Sequence, residues 1–248
     1  MLAILRTLDL VTVSHTLCLG WWLRVWLWHT SEAALVLPGS RGFGWFFRYL
    51  TFYSFTLQLA QLCLCTVYGW SRKWRGGRPS SSLTRLAGWS DDLSCAALGF
   101  ATATTILYHI VDAALGRKGI VEGEAERPVW LSPSVHVFNF ALAWADTAFA
   151  SPRTFTRRAE ILSTCLVTVY ICIILGSRHV NGKFPYPFLN QLPLPQGFIL
   201  MLVLGIAIFY GFFQIGRQVN KGRTRLEKYL AHAGPASGTV EGHRLKKQ

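Results

Sequence analysis

Six apolar segments, separated by short polar stretches, constrain this chain more than any other feature of its sequence. Each is long enough, or nearly so, to cross a hydrocarbon layer of about 30 Å, which takes roughly 20 helical residues. Of the 248 residues 51% are hydrophobic and only 15% are charged, against about 25% charged in an average soluble domain. The sequence therefore predicts an all-α, polytopic transmembrane helical bundle with spans near residues 10–28, 47–69, 93–115, 129–150, 161–177 and 196–216.

The first apolar segment has two interpretations, a membrane helix or a cleaved signal peptide. It ends at Trp28 and His29, whereas a signal peptide ends in a cleavage site of small residues. Arg24 stands among four Trp residues, a composition that suits the interface between lipid and water. We therefore predict a membrane helix here.

The Lys and Arg residues between the apolar segments predict the orientation. If the N-terminus is cytoplasmic, 17 of the 25 Lys and Arg residues lie on the cytoplasmic side and seven on the other. Such a bias is typical of cytoplasmic loops, so both termini are expected in the cytoplasm. The chain then divides into a six-span transmembrane domain, residues 1–216, and a basic, disordered cytoplasmic tail, residues 217–248, in which Gly234 and Pro235 oppose helix formation.

The residues give little support to nucleic-acid binding, to a metal site or to a paired-cysteine site. The net charge of +13 is high enough for nucleic-acid binding, but the basic residues flank apolar runs and no nucleic-acid-binding motif accompanies them. Membrane lipids are the expected partners and nucleic acid is not. No two of the seven His residues are spaced for a metal site on one helix face, and the six Cys residues show no CxxC pair. We predict no metal and no cofactor, leaving open a site built from His109, His136 and His179.

Two polar residues inside the predicted spans lie at similar depth. Thr51 is about five residues into its span, roughly 7 Å, and His136 about seven residues into its own, roughly 10 Å from the same side. A His can act as the base that activates a Thr hydroxyl. Each residue also has a structural explanation, because Thr often bonds back to its own helix and His can bond across helices.

Three stretches of the sequence resemble one family, the androgen-induced and androgen-dependent TFPI-regulating membrane proteins. The likeness extends over about residues 42–190 and is most specific in the stretch from His179 to Leu189. The stretches are Gly42-Phe43-Gly44-Trp45-Phe46-Phe47-Arg48-Tyr49-Leu50-Thr51-Phe52 with Gln58, then Trp130-Leu131 with His136 and Asp146, and His179-Val180-Asn181-Gly182-Lys183-Phe184-Pro185-Tyr186-Pro187-Phe188-Leu189.

The resemblance implies a multi-pass hydrolase of fatty acid esters of hydroxy fatty acids, with Thr51 as nucleophile and His136 as base. It also implies a lipid ester substrate. From the multi-pass membrane class we expect a location in the endoplasmic reticulum or another endomembrane. The chain departs from the family pattern at Ser132-Pro133, just before His136. Asp146 matches an acidic family position but lies about 15 Å along the helix from His136, too far to orient its imidazole.

We expect a substrate pocket lined by the apolar residues Phe47, Phe52, Phe55 and Phe138, with Asn139 and His179 as further substrate-binding candidates. The main alternative is a non-catalytic membrane protein, a lipid-binding or regulatory scaffold. A transporter is a third possibility, but it needs ionisable residues along a path through both leaflets. Too few are present for that here.

Overall fold

The computed structural model describes residues 2–78, 80–116, 127–150 and 153–232, with side chains from residue 10 onward. The described chain is helical, without β-strands. The helices are α1 (Leu2–His29), α2 (Leu50–Trp74), α3 (Ser81–Leu115), α4 (Leu131–Pro133, Ser134–Phe138 and Asn139–Phe149), α5 (Arg157–Asn181), the short α6 (Pro187–Gln191) and α7 (Gln196–His232). Helix α4 consists of three consecutive segments, of which the middle one is π-helical.

Four of these helices, α2, α3, α5 and α7, are long and apolar enough to cross a membrane. The all-α, multi-pass membrane prediction is confirmed to that extent. Helices α1 and α4 occupy the two other predicted positions, but α4 is interrupted by its π-helical segment and α1 is not among the four. Six spans and cytoplasmic termini therefore remain predictions.

The limits of the helices follow from local signals. Ser80 begins α3 by accepting a hydrogen bond from the Leu83 N–H at 3.3 Å, and Thr156 begins α5 in the same way with Ala159 at 3.2 Å. Gly182 ends α5 in the left-handed conformation, with φ of 73°.

Helix α7 continues beyond the apolar segment predicted near residues 196–216 and ends at His232. An ion pair one turn apart, between Arg223 and Glu227 at 2.9 Å, supports this polar extension, and the Gly234-Pro235 pair comes only after it. The rest of the predicted tail, residues 233–248, lies outside the described residues.

Helix α3 lies at the centre of the bundle and packs against α2, α4, α5 and α7. Its residues from Ser94 to Thr104 are all buried, and many are small. Small side chains allow helix backbones to approach closely in a membrane protein. At Gly99, a Cβ atom would lie 2.6 Å from the ring of Phe209 on α7, so this position requires glycine.

Helices α5 and α7 lie at the periphery instead. Only 17% of the apolar window of α5, and 11% of that of α7, is buried inside the protein. Their remaining surface is apolar and exposed, with Ile199, Leu200 and Val203 among its members. A lipid environment is what such a surface requires.

Aromatic side chains join α1 to α2. Trp22 stacks on Phe55 with ring centroids 5.5 Å apart, and Trp26 lies 6.3 Å from Phe52. One face of α2 is thereby occupied by the Trp-rich half of α1, and its opposite face is left for α3.

The start of α2 and the turn after α5 lie together at one end of the bundle. The side-chain amide of Asn181 accepts from the Phe43 N–H at 3.0 Å and donates to the Phe43 carbonyl at 3.1 Å. The Leu50 N–H donates to the Tyr186 hydroxyl at 2.7 Å. Two of the three stretches singled out in the sequence, 42–52 and 179–189, therefore meet here.

Candidate functional site

Thr51 is the second residue of α2, at this end of the bundle. The chain before it turns through Gly42 and Gly44, with φ of 83° and 86°, values that favour glycine. The buried Arg48 guanidinium then fastens the turn by donating to three carbonyls, those of Pro38, Arg41 and Phe43, at 2.7, 2.6 and 3.2 Å. The start of α2 is therefore held in a fixed position.

Several helical Thr hydroxyls in this protein bond back to their own helix, whereas those of Thr51, Thr66 and Thr104 have no hydrogen-bond partner among the described residues. Thr56, Thr147 and Thr164 each donate to the carbonyl four residues earlier, at 2.8 to 3.0 Å. Thr51 lies too close to the start of α2 for that bond within the helix, and its hydroxyl makes no hydrogen bond to any described residue. The structural explanation offered by the sequence therefore does not apply to Thr51.

Thr51 lines a cavity of about 150 Å³ between α2, α3, α5 and α7. The segment from Tyr186 to Leu189 closes the end of this cavity. Its walls are largely aliphatic and aromatic, with contributions from Leu107, Val111, Ile171, Ile174, Met201, Leu202, Gly205, Ile206 and Phe209. The polar side chains among its lining residues are Thr51, Thr104, Tyr108, Tyr170 and Tyr186. A long apolar group with one polar centre near Thr51 would match this lining.

His136 lies in the π-helical segment of α4, a local geometry that is frequent at functional sites. Its ring is 8% exposed, and its Nδ1 atom has no hydrogen-bond partner among the described residues. Buried polar atoms are rarely left without a partner. An unpaired imidazole nitrogen inside the bundle is therefore a candidate for chemistry.

Tyr108 connects His136 to the cavity. The imidazole stacks on the Tyr108 ring, with centroids 3.6 Å apart and planes 27° from parallel. Tyr108 lines the cavity together with Thr51, whereas His136 is not among the lining residues. No hydrogen bond joins Thr51 to His136 in the described parts of the chain; Tyr108 borders both the His136 ring and the cavity that Thr51 lines.

Comparison with known protein families shows which family the chain belongs to. A family model for the FAR-17a/AIG1-like protein matches residues 10–221. The chain belongs to this family. The resemblance seen in the three sequence stretches is thereby confirmed. Comparisons with curated proteins and with solved structures gave no match.

The matched region of this FAR-17a/AIG1-like protein also contains the six predicted substrate-binding residues, but none of the six lines the cavity. Phe52 and Phe55 pack on the Trp residues of α1, and Phe47 lies against Phe52 with ring centroids 5.2 Å apart. Phe138 is 48% exposed, and His179 is exposed.

Asn139, the sixth of these residues, donates from Nδ2 to the Ser54 hydroxyl at 3.0 Å. Both side chains are buried. The Asn139 amide therefore joins α4 to α2, and its donor group is already in use. A substrate-binding role for it remains a prediction.

Two tyrosines that sequence reasoning did not place in the site belong to it. Tyr186 was visible as part of the stretch from His179 to Leu189, where it stands between Pro185 and Pro187. Tyr108 carries no such signal, because only the packing of α3 against α4 brings it to His136. Pairing of residues on different helices is not encoded in local spacing.

A second polar cluster lies deeper in the bundle. Asp146 accepts from Nη2 of Arg153 at 2.6 Å and from Nε at 3.0 Å, and it lies 2.9 Å from His15 Nε2. Burial lowers the pKa of the Arg153 guanidinium, but the adjacent Asp146 carboxylate outweighs this effect and the net pKa lies above its ordinary value. Asp146 is therefore a structural ion-pair partner, far from His136 as its spacing predicted.

This cluster is also where a metal ion could be considered. Ligand atoms of His15, Cys65 and Asp146 lie within 4.8 Å of one another. Both carboxylate oxygens of Asp146, however, already accept hydrogen bonds from Arg153, which supplies the positive charge that a metal would bring. The residues fit an internal ion pair better than a metal site.

Proposed function

We propose that this FAR-17a/AIG1-like protein hydrolyses lipid esters in a membrane, with Thr51 as nucleophile and His136 as general base. The observation that carries the proposal is the unbonded hydroxyl of Thr51 on the wall of an apolar cavity. A hydroxyl without a structural bond, placed where an acyl chain fits, is suited to attack an ester. The proposal includes a location in the endoplasmic reticulum or another endomembrane, the expectation for a multi-pass membrane protein of this class.

In the proposed reaction, the Thr51 oxygen attacks the ester carbonyl carbon while His136 takes the hydroxyl proton. The tetrahedral intermediate then releases the alcohol, which receives that proton from His136, and leaves an acyl group on Thr51. A water molecule, deprotonated by His136, then attacks the acyl-threonine; the bond between the acyl carbon and the Thr51 oxygen breaks, His136 returns the proton to that oxygen, and the fatty acid leaves. No cofactor takes part in these steps.

The Tyr108 ring covers one face of the His136 imidazole, and no hydrogen bond joins that imidazole to Thr51 among the described residues. A general base must come within about 3 Å of the proton it takes, and catalytic hydrogen bonds are often long before substrate binds. We therefore place a movement of the Tyr108 side chain on the reaction path, one that lets the imidazole approach Thr51. In the proposed complex, the substrate occupies the cavity that the Tyr108 ring lines.

The alternative is a membrane protein that binds a lipid without turnover. The missing hydrogen bond between Thr51 and His136 favours it, since the cavity by itself suffices to hold an apolar chain. Each methylene group buried there would contribute about 0.8 kcal/mol. Under this alternative, the purified wild-type protein binds lipid esters but releases no fatty acid.

The cavity offers a test through two glycines of α7. At Gly205 a Cβ atom would lie 3.6 Å from Leu107, so a larger side chain there enters the cavity, whereas a Cβ atom at Gly211 has no neighbour within 4 Å. We expect Gly205→Leu to slow hydrolysis of long-chain esters by at least about tenfold, since displacing two methylene groups costs ~1.6 kcal/mol.

The measurement is fatty acid release by purified protein in phospholipid vesicles, for esters of increasing acyl length. Gly211→Leu is the matched control and should behave as the wild type. Short-chain esters should be hydrolysed equally by all three proteins. Wild-type protein without any turnover would favour the scaffold, and equal long-chain rates for Gly205→Leu and Gly211→Leu would place the substrate elsewhere.

A further inference from the structure

The first turn of α2 has no side-chain cap of its own. Tyr49 stands at the N-cap position without making a capping hydrogen bond, and the first N–H groups of a helix have no partner within it. The Leu50 N–H instead donates to the Tyr186 hydroxyl at 2.7 Å.

A second hydroxyl points to the same place. Tyr170, on α5, has its hydroxyl 3.4 Å from the Arg48 carbonyl, two residues before Leu50. Two phenol groups and the positive end of the α2 dipole therefore converge next to Thr51. Tyr170 and Tyr186 both line the cavity.

Hydrogen bonds and ring packing restrain the loop that carries Tyr186. Asn190 accepts from the Phe184 N–H at 2.8 Å and donates back to the Phe184 carbonyl at 3.1 Å. The Tyr186 ring packs edge-on against Tyr49, with centroids 5.5 Å apart. The Tyr186 hydroxyl is thus fixed in place by its own loop and by the start of α2.

We propose that Tyr186 is the oxyanion donor of the reaction, its hydroxyl donating a hydrogen bond to the carbonyl oxygen of the ester attacked by Thr51. When the Thr51 oxygen bonds to the carbonyl carbon, the π-electron pair moves onto the carbonyl oxygen, and Tyr186 stabilises that charge without giving up its proton. This inference rests on the proposed function and assigns one further residue to it.

The state of the Tyr186 hydroxyl agrees with this role. Burial raises the pKa of Tyr186, so the phenol keeps its proton at neutral pH. It accepts from the Leu50 N–H, which leaves its own hydrogen available for donation. Fixed donors at the site of developing charge make a large contribution to acyl transfer.

The test is Tyr186→Phe, which removes the hydroxyl and keeps the ring. Loss of one oxyanion donor lowers kcat by about 10²–10³-fold, and we expect this fall with KM changed by less than about threefold, since the donor acts only in the transition state. Tyr53→Phe is the matched control, because the Tyr53 hydroxyl is also buried near the start of α2 but donates to the Leu166 carbonyl at 2.8 Å. It should retain kcat.

Three further measurements separate a catalytic from a structural effect. Thermal unfolding should give similar values for the two variants, and both should bind an ether analogue, which lacks the carbonyl, with wild-type affinity. Replacing Tyr186 with para-aminophenylalanine restores an N–H donor and should recover part of kcat.

The outcomes distinguish this inference from the proposed function. An active wild type with equal kcat in Tyr186→Phe and Tyr53→Phe would overturn the oxyanion role alone. So would a fall in kcat that para-aminophenylalanine does not relieve, or one matched by weaker binding of the ether. A wild type without turnover would overturn both proposals.

Discussion

Thr51→Ala is expected to abolish reaction with a fluorophosphonate probe, and with it the hydrolysis of lipid esters. The probe reacts with activated hydroxyl groups and requires no knowledge of the natural ester. Removing the Thr51 oxygen removes the only atom that can form the acyl intermediate in the proposed reaction. His136→Gln keeps a polar side chain but no base, and we expect its rate to fall by about 10²–10⁴-fold. The measurement is probe labelling in membranes, followed by fatty acid release from purified protein.

A matched control for this experiment lies one turn further along α2. Thr56 is half-buried like Thr51, but its hydroxyl donates to the Phe52 carbonyl at 2.8 Å. Thr56→Ala should therefore be labelled as the wild type is. Undiminished labelling of Thr51→Ala would assign the nucleophile to another residue. No labelling of a well-folded wild type would favour a lipid-binding scaffold.

Arg153→Met is expected to produce the largest loss of stability, about 3–5 kcal/mol of the free energy of unfolding. The side chains of Arg153 and Asp146 are 7% and 4% exposed. Without the guanidinium, the Asp146 carboxylate stays buried with His15 as its remaining ionisable partner. The cost is that of an uncompensated charge inside the protein. Unfolding of purified protein by a denaturing detergent measures it.

Two further variants show whether the loss comes from the buried charge. Arg157→Met is the control, because Arg157 is 84% exposed and lies 3.4 Å from Glu160. Surface pairs of this kind contribute only about 0–1 kcal/mol. The double variant Asp146→Leu with Arg153→Met removes both buried charges and should recover at least half of the loss. Equal stability of Arg153→Met and Arg157→Met would contradict the assignment.

The sequence predicted the all-helical, multi-pass architecture because long apolar runs have few other solutions in lipid. From helical rise the sequence also predicted a similar depth for Thr51 and His136, which stays a prediction. It did not predict how helices rotate about their axes. Phe52 and Phe55 were assigned to a substrate pocket, but they pack against Trp26 and Trp22 of α1.

The partners of Asp146 could not be found from the sequence for a related reason. His15 and Arg153 lie 131 and seven residues away from Asp146, and only the tertiary packing brings all three together. Tyr108 reaches His136 in the same way, through contacts between different helices. Local patterns describe each helix, whereas the site forms between helices.

The peripheral position of α5 and α7 has a kinetic consequence. These two helices are the least buried of the four apolar ones, and they also form walls of the cavity next to Thr51. Under the proposed function, an ester dissolved in the bilayer would therefore arrive by sideways diffusion, without first entering water. The concentration that governs its encounter with the protein is then the number of ester molecules per lipid molecule. Added inert phospholipid lowers this ratio and would therefore slow turnover, although the total amount of ester in the sample is unchanged.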